Sequence, residues 1–156
     1  MAKIDKTIYF DMDGTIADLY GVDNWLSKLR AEDKTPYAEA EPLVDVAEFT
    51  MALNYLQGIG YKLGIISWLS KGSSDFYKKE VRATKLEWLN DKFPEIKFDE
   101  IHIIQYGHRK DYVANDKMGM LFDDSKEVRE KWRGIAYDVD NVDIMTILNK
   151  LIEVVS

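Results

Sequence analysis

The sequence predicts an α/β fold: a three-layer sandwich with a mostly parallel five-stranded sheet covered by helices on both faces. Five short apolar runs each end at a polar residue, and stretches of helical period stand between them, which is the alternation of a parallel sheet with crossover helices. The length of 156 residues suits one domain, residues 1–156. At this size about two-thirds of the unfolded chain's surface can be buried without help from disulfides.

The first strand is Thr7-Ile8-Tyr9-Phe10, running into Asp11. Lys62-Leu63-Gly64-Ile65-Ile66 runs into Ser67, Ile101-His102-Ile103-Ile104 into Gln105, Gly119-Met120-Leu121-Phe122 into Asp123, and Ile135-Ala136-Tyr137 into Asp138. Val46, Phe49, Leu53 and Leu56 share a helical stripe that stops at Gly58 and Gly60, residues suited to a helix end. Leu86, Leu89 and Phe93 mark a second helix, which Pro94 terminates. Ser125 is the expected N-cap of a third, carrying Val128 and Trp132. In the last, Asn141 is the expected cap and Ile144, Ile147, Leu148, Leu151 and Ile152 form one apolar stripe. Residues 18–44 break the alternation: a short helix around Trp25, Leu26 and Leu29, then a polar stretch with Pro36 and Pro42. This segment reads as a small helical insertion over the sheet, placed after the first strand.

Composition narrows the chemistry. With no cysteine, disulfide scaffolds, thiolate zinc sites, iron–sulfur clusters and thiol nucleophiles are excluded together. Two histidines, His102 and His108, are too few for a histidine-rich metal site. The N-terminus has no apolar core region and no later stretch approaches a membrane span, so a soluble, cytoplasmic protein without membrane partners is expected. Twenty-eight acidic against 21 basic side chains give a net charge of −7, which disfavours broad adhesion to polyphosphate.

In an open α/β sheet, ligands bind beyond the carboxyl ends of the strands. There the sequence gathers Asp11-Met12-Asp13-Gly14-Thr15 after the first strand, Ser67 after the second, His108-Arg109-Lys110 after the third and Asp123-Asp124 after the fourth. Gly14 permits a sharp turn directly after the paired carboxylates. Two carboxylates about 4 Å apart repel by roughly 4 kcal/mol at an effective dielectric of 20, so this edge calls for a cation. An oxygen-only ligand set suits a hard divalent ion, Mg²⁺ above all. Lys110 supplies further positive charge, and the Ser67 hydroxyl offers a donor to a phosphoryl oxygen.

In this order the four segments resemble the motifs of the haloacid dehalogenase superfamily of phosphohydrolases, over essentially the whole chain outside the insertion. The resemblance implies a Rossmann-like core with a small cap, Mg²⁺ dependence and a covalent aspartyl-phosphate. By it, Asp11 is the nucleophile and Asp13 the general acid and then base, its main-chain carbonyl also reaching the metal. Asp11 and Asp123 ligate Mg²⁺ by their side chains, and Asp124 does so through water or orients the others. Ser67 and Lys110 hold the phosphoryl group, and Gly14, Thr15 and Trp68 complete the phosphate-binding set. The presence of Asp13 implies phosphate ester hydrolysis rather than carbon–halogen cleavage.

Each residue also has a plainer reading. Asp123-Asp124 suits a helix cap, Ser67 or nearby Ser70 a strand end, and Trp68 a packed position as well as a nucleobase platform. Arg109 and Lys117 compete with Lys110, and His108 reads as an ordinary loop histidine. Lys78, Arg82 and Lys85 form a helical face that reads as solvated charge. For the substrate, Ala17-Asp18 and Lys85-Leu86-Glu87-Trp88 resemble small deoxyribonucleotidases and imply a nucleoside monophosphate. Arg109-Lys110-Asp111 and Val128-Arg129-Glu130-Lys131-Trp132-Arg133 resemble polynucleotide phosphatase domains and imply a 3′-phosphorylated nucleic-acid end. Net charge tips the expectation toward the smaller substrate, with Tyr20, Trp25 and Tyr37 as contact candidates. A non-catalytic metal-binding regulatory module is the alternative of another class.

Overall fold

The computed structural model describes residues 4–156 and contains five strands, all parallel, in the spatial order β3-β2-β1-β4-β5. These are β1 (Thr7–Phe10), β2 (Lys62–Trp68), β3 (Glu100–Ile104), β4 (Met120–Asp123) and β5 (Ala136–Asp138). Helices flank the sheet, giving a Rossmann-like three-layer sandwich. The chain builds β1, β2 and β3 in one direction and then places β4 on the other side of β1. The strand order therefore reverses between β1 and β4, the point where open α/β sheets bind ligands.

The two faces follow from the period of two along each strand. Ile8 and Phe10 of β1, Leu63 and Ile65 of β2, and Met120 and Phe122 of β4 point to the larger core. It is closed by α3 (Val46–Gly58), by α7 (Ile144–Val155) and by the end of α4 (Asp75–Lys92), through Phe49, Leu53, Leu56, Trp88, Leu89 and Leu148. Phe10 stacks on Phe122 at 5.2 Å between ring centroids and meets Phe49 edge-on at 5.1 Å. Full burial of such a ring contributes about 1.5–3 kcal/mol. The intervening residues Tyr9, Ile66 and Leu121 face the other way, against Val128 of α6 (Lys126–Lys131) and Trp132. The Trp132 indole N–H donates to Gly119 O at 2.8 Å, so this buried ring has its partner.

Helix boundaries correct three details. The stripe of α4 that enters the core is Tyr77, Val81, Lys85, Trp88 and Leu89, and Leu86 is exposed. Trp132 caps the end of α6 rather than belonging to it. Asp143, not Asn141, caps α7: its carboxylate accepts from Thr146 N at 3.0 Å, while the Asn141 amide donates to Asp138 Oδ2 at 2.6 Å.

Residues 18–44 hold a 3₁₀ turn (Leu19–Gly21), α1 (Trp25–Arg30) and α2 (Thr35–Glu39). The second helix falls in the stretch whose prolines suggested irregular chain, because Pro36 sits in the first helical turn, where its missing N–H goes unneeded. The two stems of this excursion are joined: Asp18 N donates to Glu41 O at 2.8 Å and Leu43 N to Ile16 O at 2.9 Å. Its body is pinned to α4 by the Tyr77 hydroxyl on Asp33 O (2.8 Å) and the Trp88 indole on Ala40 O (2.8 Å). Among the described residues no helix is long and apolar enough to cross a membrane.

Candidate active site

The loop after β1 is folded around one carbonyl. Asp11 N donates to Phe122 O at 3.0 Å, extending the β1–β4 pairing by one residue, and the N–H groups of Thr15, Ile16 and Ala17 then converge on Met12 O at 3.0, 3.0 and 2.9 Å. Gly14 has φ of +78°, and a Cβ there would strike Asp124 Oδ2 and the Tyr20 ring. Glycine is thus required twice, by backbone conformation and by the approach of Asp124.

Lys110 opens the short helix α5 (Lys110–Val113) and is 3% exposed. Its ammonium donates to Asp11 Oδ1 at 2.9 Å and to Asp123 Oδ2 at 2.7 Å, tying the ends of β1 and β4 together. The competing cations are engaged elsewhere. Arg109 makes a two-pronged pair with Asp111, both contacts at 2.7 Å, and Lys117 donates to the carbonyls of Asp111, Tyr112 and Ala114. Asp123 and Asp124 are not the cap of α6, since the Ser125 side chain accepts from Val128 N in that role. Asp123 Oδ1 accepts from Ser125 N at 2.9 Å, which fixes its carboxylate plane.

A second buried cation lies on the opposite side. Lys85, expected on a solvated face, is 1% exposed, and its ammonium donates to Asp13 Oδ2 (2.8 Å), Ser67 Oγ (2.7 Å) and Trp68 O (2.7 Å). Its position four residues after Val81 and three before Trp88 sets it on the apolar stripe of α4, a signal legible in the sequence.

Four carboxylates, Asp11, Asp13, Asp123 and Asp124, thus meet two ammonium groups, leaving two negative charges over when all four are ionised. Asp11, Asp123 and Asp124 offer oxygen atoms that lie within 4.8 Å of one another, a group able to hold a metal ion. Hard oxygen donors with an excess of two charges fit a divalent cation in both chemistry and charge. The Asp13 carboxylate stands apart from this trio, on Lys85.

The uncompensated charge is visible in proton affinity. Burial, then the charge of Asp11, its hydrogen bond with Asp11 and the charge of Asp123 push Asp124 up to about 8. Burial and Asp11 raise Asp123 as well, against Lys110 and the Ser125 N–H. Burial raises Asp13, against the pull of Lys85. Stability of the metal-free protein is therefore expected to fall as pH rises from about 5 to about 8. In that window the folded chain keeps on Asp124 a proton that the unfolded chain gives up near pH 4, so each step upward favours unfolding. A divalent cation should flatten this slope and raise the melting temperature, because it binds the folded state alone. Thermal melts at about pH 5.5 and 8, with and without millimolar cation, measure both effects, and identical slopes would remove the metal from this site.

Asp11, Asp13, Lys110, Asp123, Asp124 and Trp68 all line one cavity of about 490 Å³. Its far wall comes from the insertion, where Tyr20 and Trp25 meet edge-on at 4.9 Å between centroids, with Leu26, Leu29 and Tyr37 alongside. Its near wall carries Trp68 and Tyr106, also 4.9 Å apart. The Trp68 indole N–H donates to His108 O at 2.9 Å and Lys110 Nζ lies 5.2 Å from the centre of its ring, so Trp68 is both packed and presented. Ser67 and Thr15 lie behind the wall instead of on it. Ser67 is fully buried against Lys85, and the Thr15 hydroxyl donates to Asp11 Oδ2 at 3.3 Å. Tyr106, Arg30 and Lys71, which the sequence did not single out, join the lining because loop and cap residues carry no periodicity to mark them. The chain matches no protein-family model and no curated protein sequence.

Proposed function

We propose that the protein is a Mg²⁺-dependent phosphomonoesterase of the haloacid dehalogenase type, acting through an aspartyl-phosphate on Asp11, with nucleoside monophosphates as its substrate class. The observation that carries this reading is Asp11 at the base of the cavity, at the point where strand order reverses. One of its oxygens is held by buried Lys110, Asp123 and Asp124 cluster with it, and Asp13 lines the same cavity.

Asp11 attacks phosphorus, a phosphorus–oxygen bond forms and the bond to the leaving oxygen breaks. Asp13 gives its proton to that oxygen as the alcohol departs. It then takes a proton from the water that attacks the aspartyl-phosphate, and inorganic phosphate leaves with Asp11 restored. The raised proton affinity of Asp13 suits a group that must both give and accept a proton near neutrality. Lys110 keeps Asp11 oriented and meets the phosphoryl oxygens. Asp11, Asp123 and Asp124 would hold Mg²⁺, which would supply charge neutralisation for the transferring group. Ser67 serves by supporting Lys85 rather than by touching phosphate.

The nucleoside part of the reading rests on the two aromatic pairs, Tyr20–Trp25 and Trp68–Tyr106, that line one cavity of about 490 Å³, within the range of small-molecule sites. Stacking on an aromatic side chain contributes about 1–3 kcal/mol per base. Trp25→Ala is expected to raise KM for a nucleoside monophosphate about tenfold or more and to leave glycerol phosphate hydrolysis nearly unchanged. Nucleoside 5′- and 3′-monophosphates beside 3′-phosphorylated oligonucleotides, with Mg²⁺ and with chelator, test the whole reading. Preference for the oligonucleotide would replace the substrate class, and Mg²⁺ binding without any turnover would favour a regulatory module.

A further inference from the structure

The reaction just outlined gives no direct role to the second buried cation near the site. Lys85 is 1% exposed, and its ammonium has three protons for three acceptors: Asp13 Oδ2, Ser67 Oγ and Trp68 O, at 2.8, 2.7 and 2.7 Å. The Tyr37 ring, contributed by the insertion, covers it at 5.1 Å from the ring centre. A buried ammonium is expensive to desolvate, and a pin between α4 and β2 through a hydroxyl and a carbonyl needs no charge. The charge has a reason in the carboxylate it faces. Lys85 grips one oxygen of Asp13 and leaves the other alone: among the described residues no donor reaches Asp13 Oδ1, while Asp13 itself lines the cavity.

We propose that Lys85 is a positioning residue that locks the Asp13 side chain by Oδ2 so that Oδ1 faces the leaving oxygen of the substrate. This rests on the phosphatase reading above and deepens it. Since α4 supplies Lys85 and the insertion supplies the ring over it, the lock joins the acid–base group to the cap. Lys85 touches neither the substrate nor the reacting phosphorus. Its effect passes through Asp13 alone, and that gives it a signature distinct from mere support of the fold.

The test uses p-nitrophenyl phosphate, whose leaving group departs readily without a proton, and glycerol phosphate, whose leaving group does not. Rates are read as kcat/KM, which reports the steps up to release of the alcohol. Lys85→Met is expected to lower this value about 100-fold on glycerol phosphate and less than about tenfold on p-nitrophenyl phosphate, the range of a misplaced general acid. Asp13→Asn should show the same pattern. The double variant, which leaves no unpaired charge behind, should be no worse than Asp13→Asn alone. Lys85→Arg keeps the charge with a different reach. It should fold even if Lys85→Met does not, and should still lose more on the alkyl ester than on the aryl one. Equal losses on the two esters, or single losses that multiply in the double variant, overturn the role given to Lys85. A wild-type protein that turns over neither ester overturns the phosphatase reading and this role with it.

Discussion

Asp11→Asn is expected to abolish phosphatase turnover, by ~10⁴-fold or more, while leaving the chain at least as stable as the parent. An amide has no carboxylate oxygen to attack phosphorus, so the covalent route closes. The fold has little to lose, because Asp11 is one of three carboxylates crowded within 4.8 Å, and it raises the proton affinity of both Asp123 and Asp124. Removing its charge relieves like-charge repulsion and leaves Lys110 paired with Asp123 at 2.7 Å. The same variant should bind the divalent cation more weakly, so the rise in melting temperature on adding Mg²⁺ should shrink. Turnover assays and melting curves on one preparation check all three outcomes. Wild-type turnover in Asp11→Asn would remove the nucleophile, and a collapsed melting curve would show that the carboxylate serves the fold first.

Lys110→Met carries the largest expected loss of stability, about 3–5 kcal/mol, since it strips the cation from two buried carboxylates and leaves both uncompensated. For a chain of this length that corresponds to a fall of about 10 °C or more in melting temperature. Burial alone would lower the proton affinity of Lys110, but Asp11 and Asp123 reverse this and hold it above the ordinary lysine range. A group raised in this way gives its full stabilisation below the unfolded lysine value, near pH 10, and loses it only in stronger alkali. The deficit of the variant should therefore show throughout the neutral range and narrow in acid, as the orphaned carboxylates take up protons. Urea denaturation at about pH 4.5 and 7.5 measures it, and an equal deficit at both values would mean the loss is one of packing. Turnover should fall as well, because Asp11 loses its orientation and the phosphoryl group its fixed cation.

The strands were legible in the sequence to within about two residues, most clearly the central β1, β2 and β4, which are buried on both faces, so an unbroken apolar run such as Ile8–Phe10 has only one comfortable place. Asp11, Asp13, Asp123, Asp124 and Lys110 were legible for a related reason: parallel strands deliver their carboxyl ends to one edge, whatever the loops do. The charge of Lys85 points to solvent while its place on the apolar stripe points inward, and a buried partner 72 residues away leaves no local trace to decide between them. Asn141 and Asp143 are both good caps, and only the register of α7 chooses between them. The helix at Thr35–Glu39 was hidden by Pro36, a breaker inside a helix and a welcome residue at its start. Tyr106 comes from a loop, where apolar periodicity has nothing to report.

The bridged stems at Asp18–Glu41 and Ile16–Leu43 make the excursion between them topologically independent of the sheet. A loop whose ends already touch can lengthen, shorten or be exchanged at a small entropic penalty, roughly 0.6 kcal/mol for a doubling in length. Under the proposed function, part of substrate recognition would then reside on a piece of the chain distinct from the carboxylate platform. New specificities become reachable by grafting a different excursion onto an unaltered carboxylate platform, provided the graft brings its own aromatic lid for Lys85.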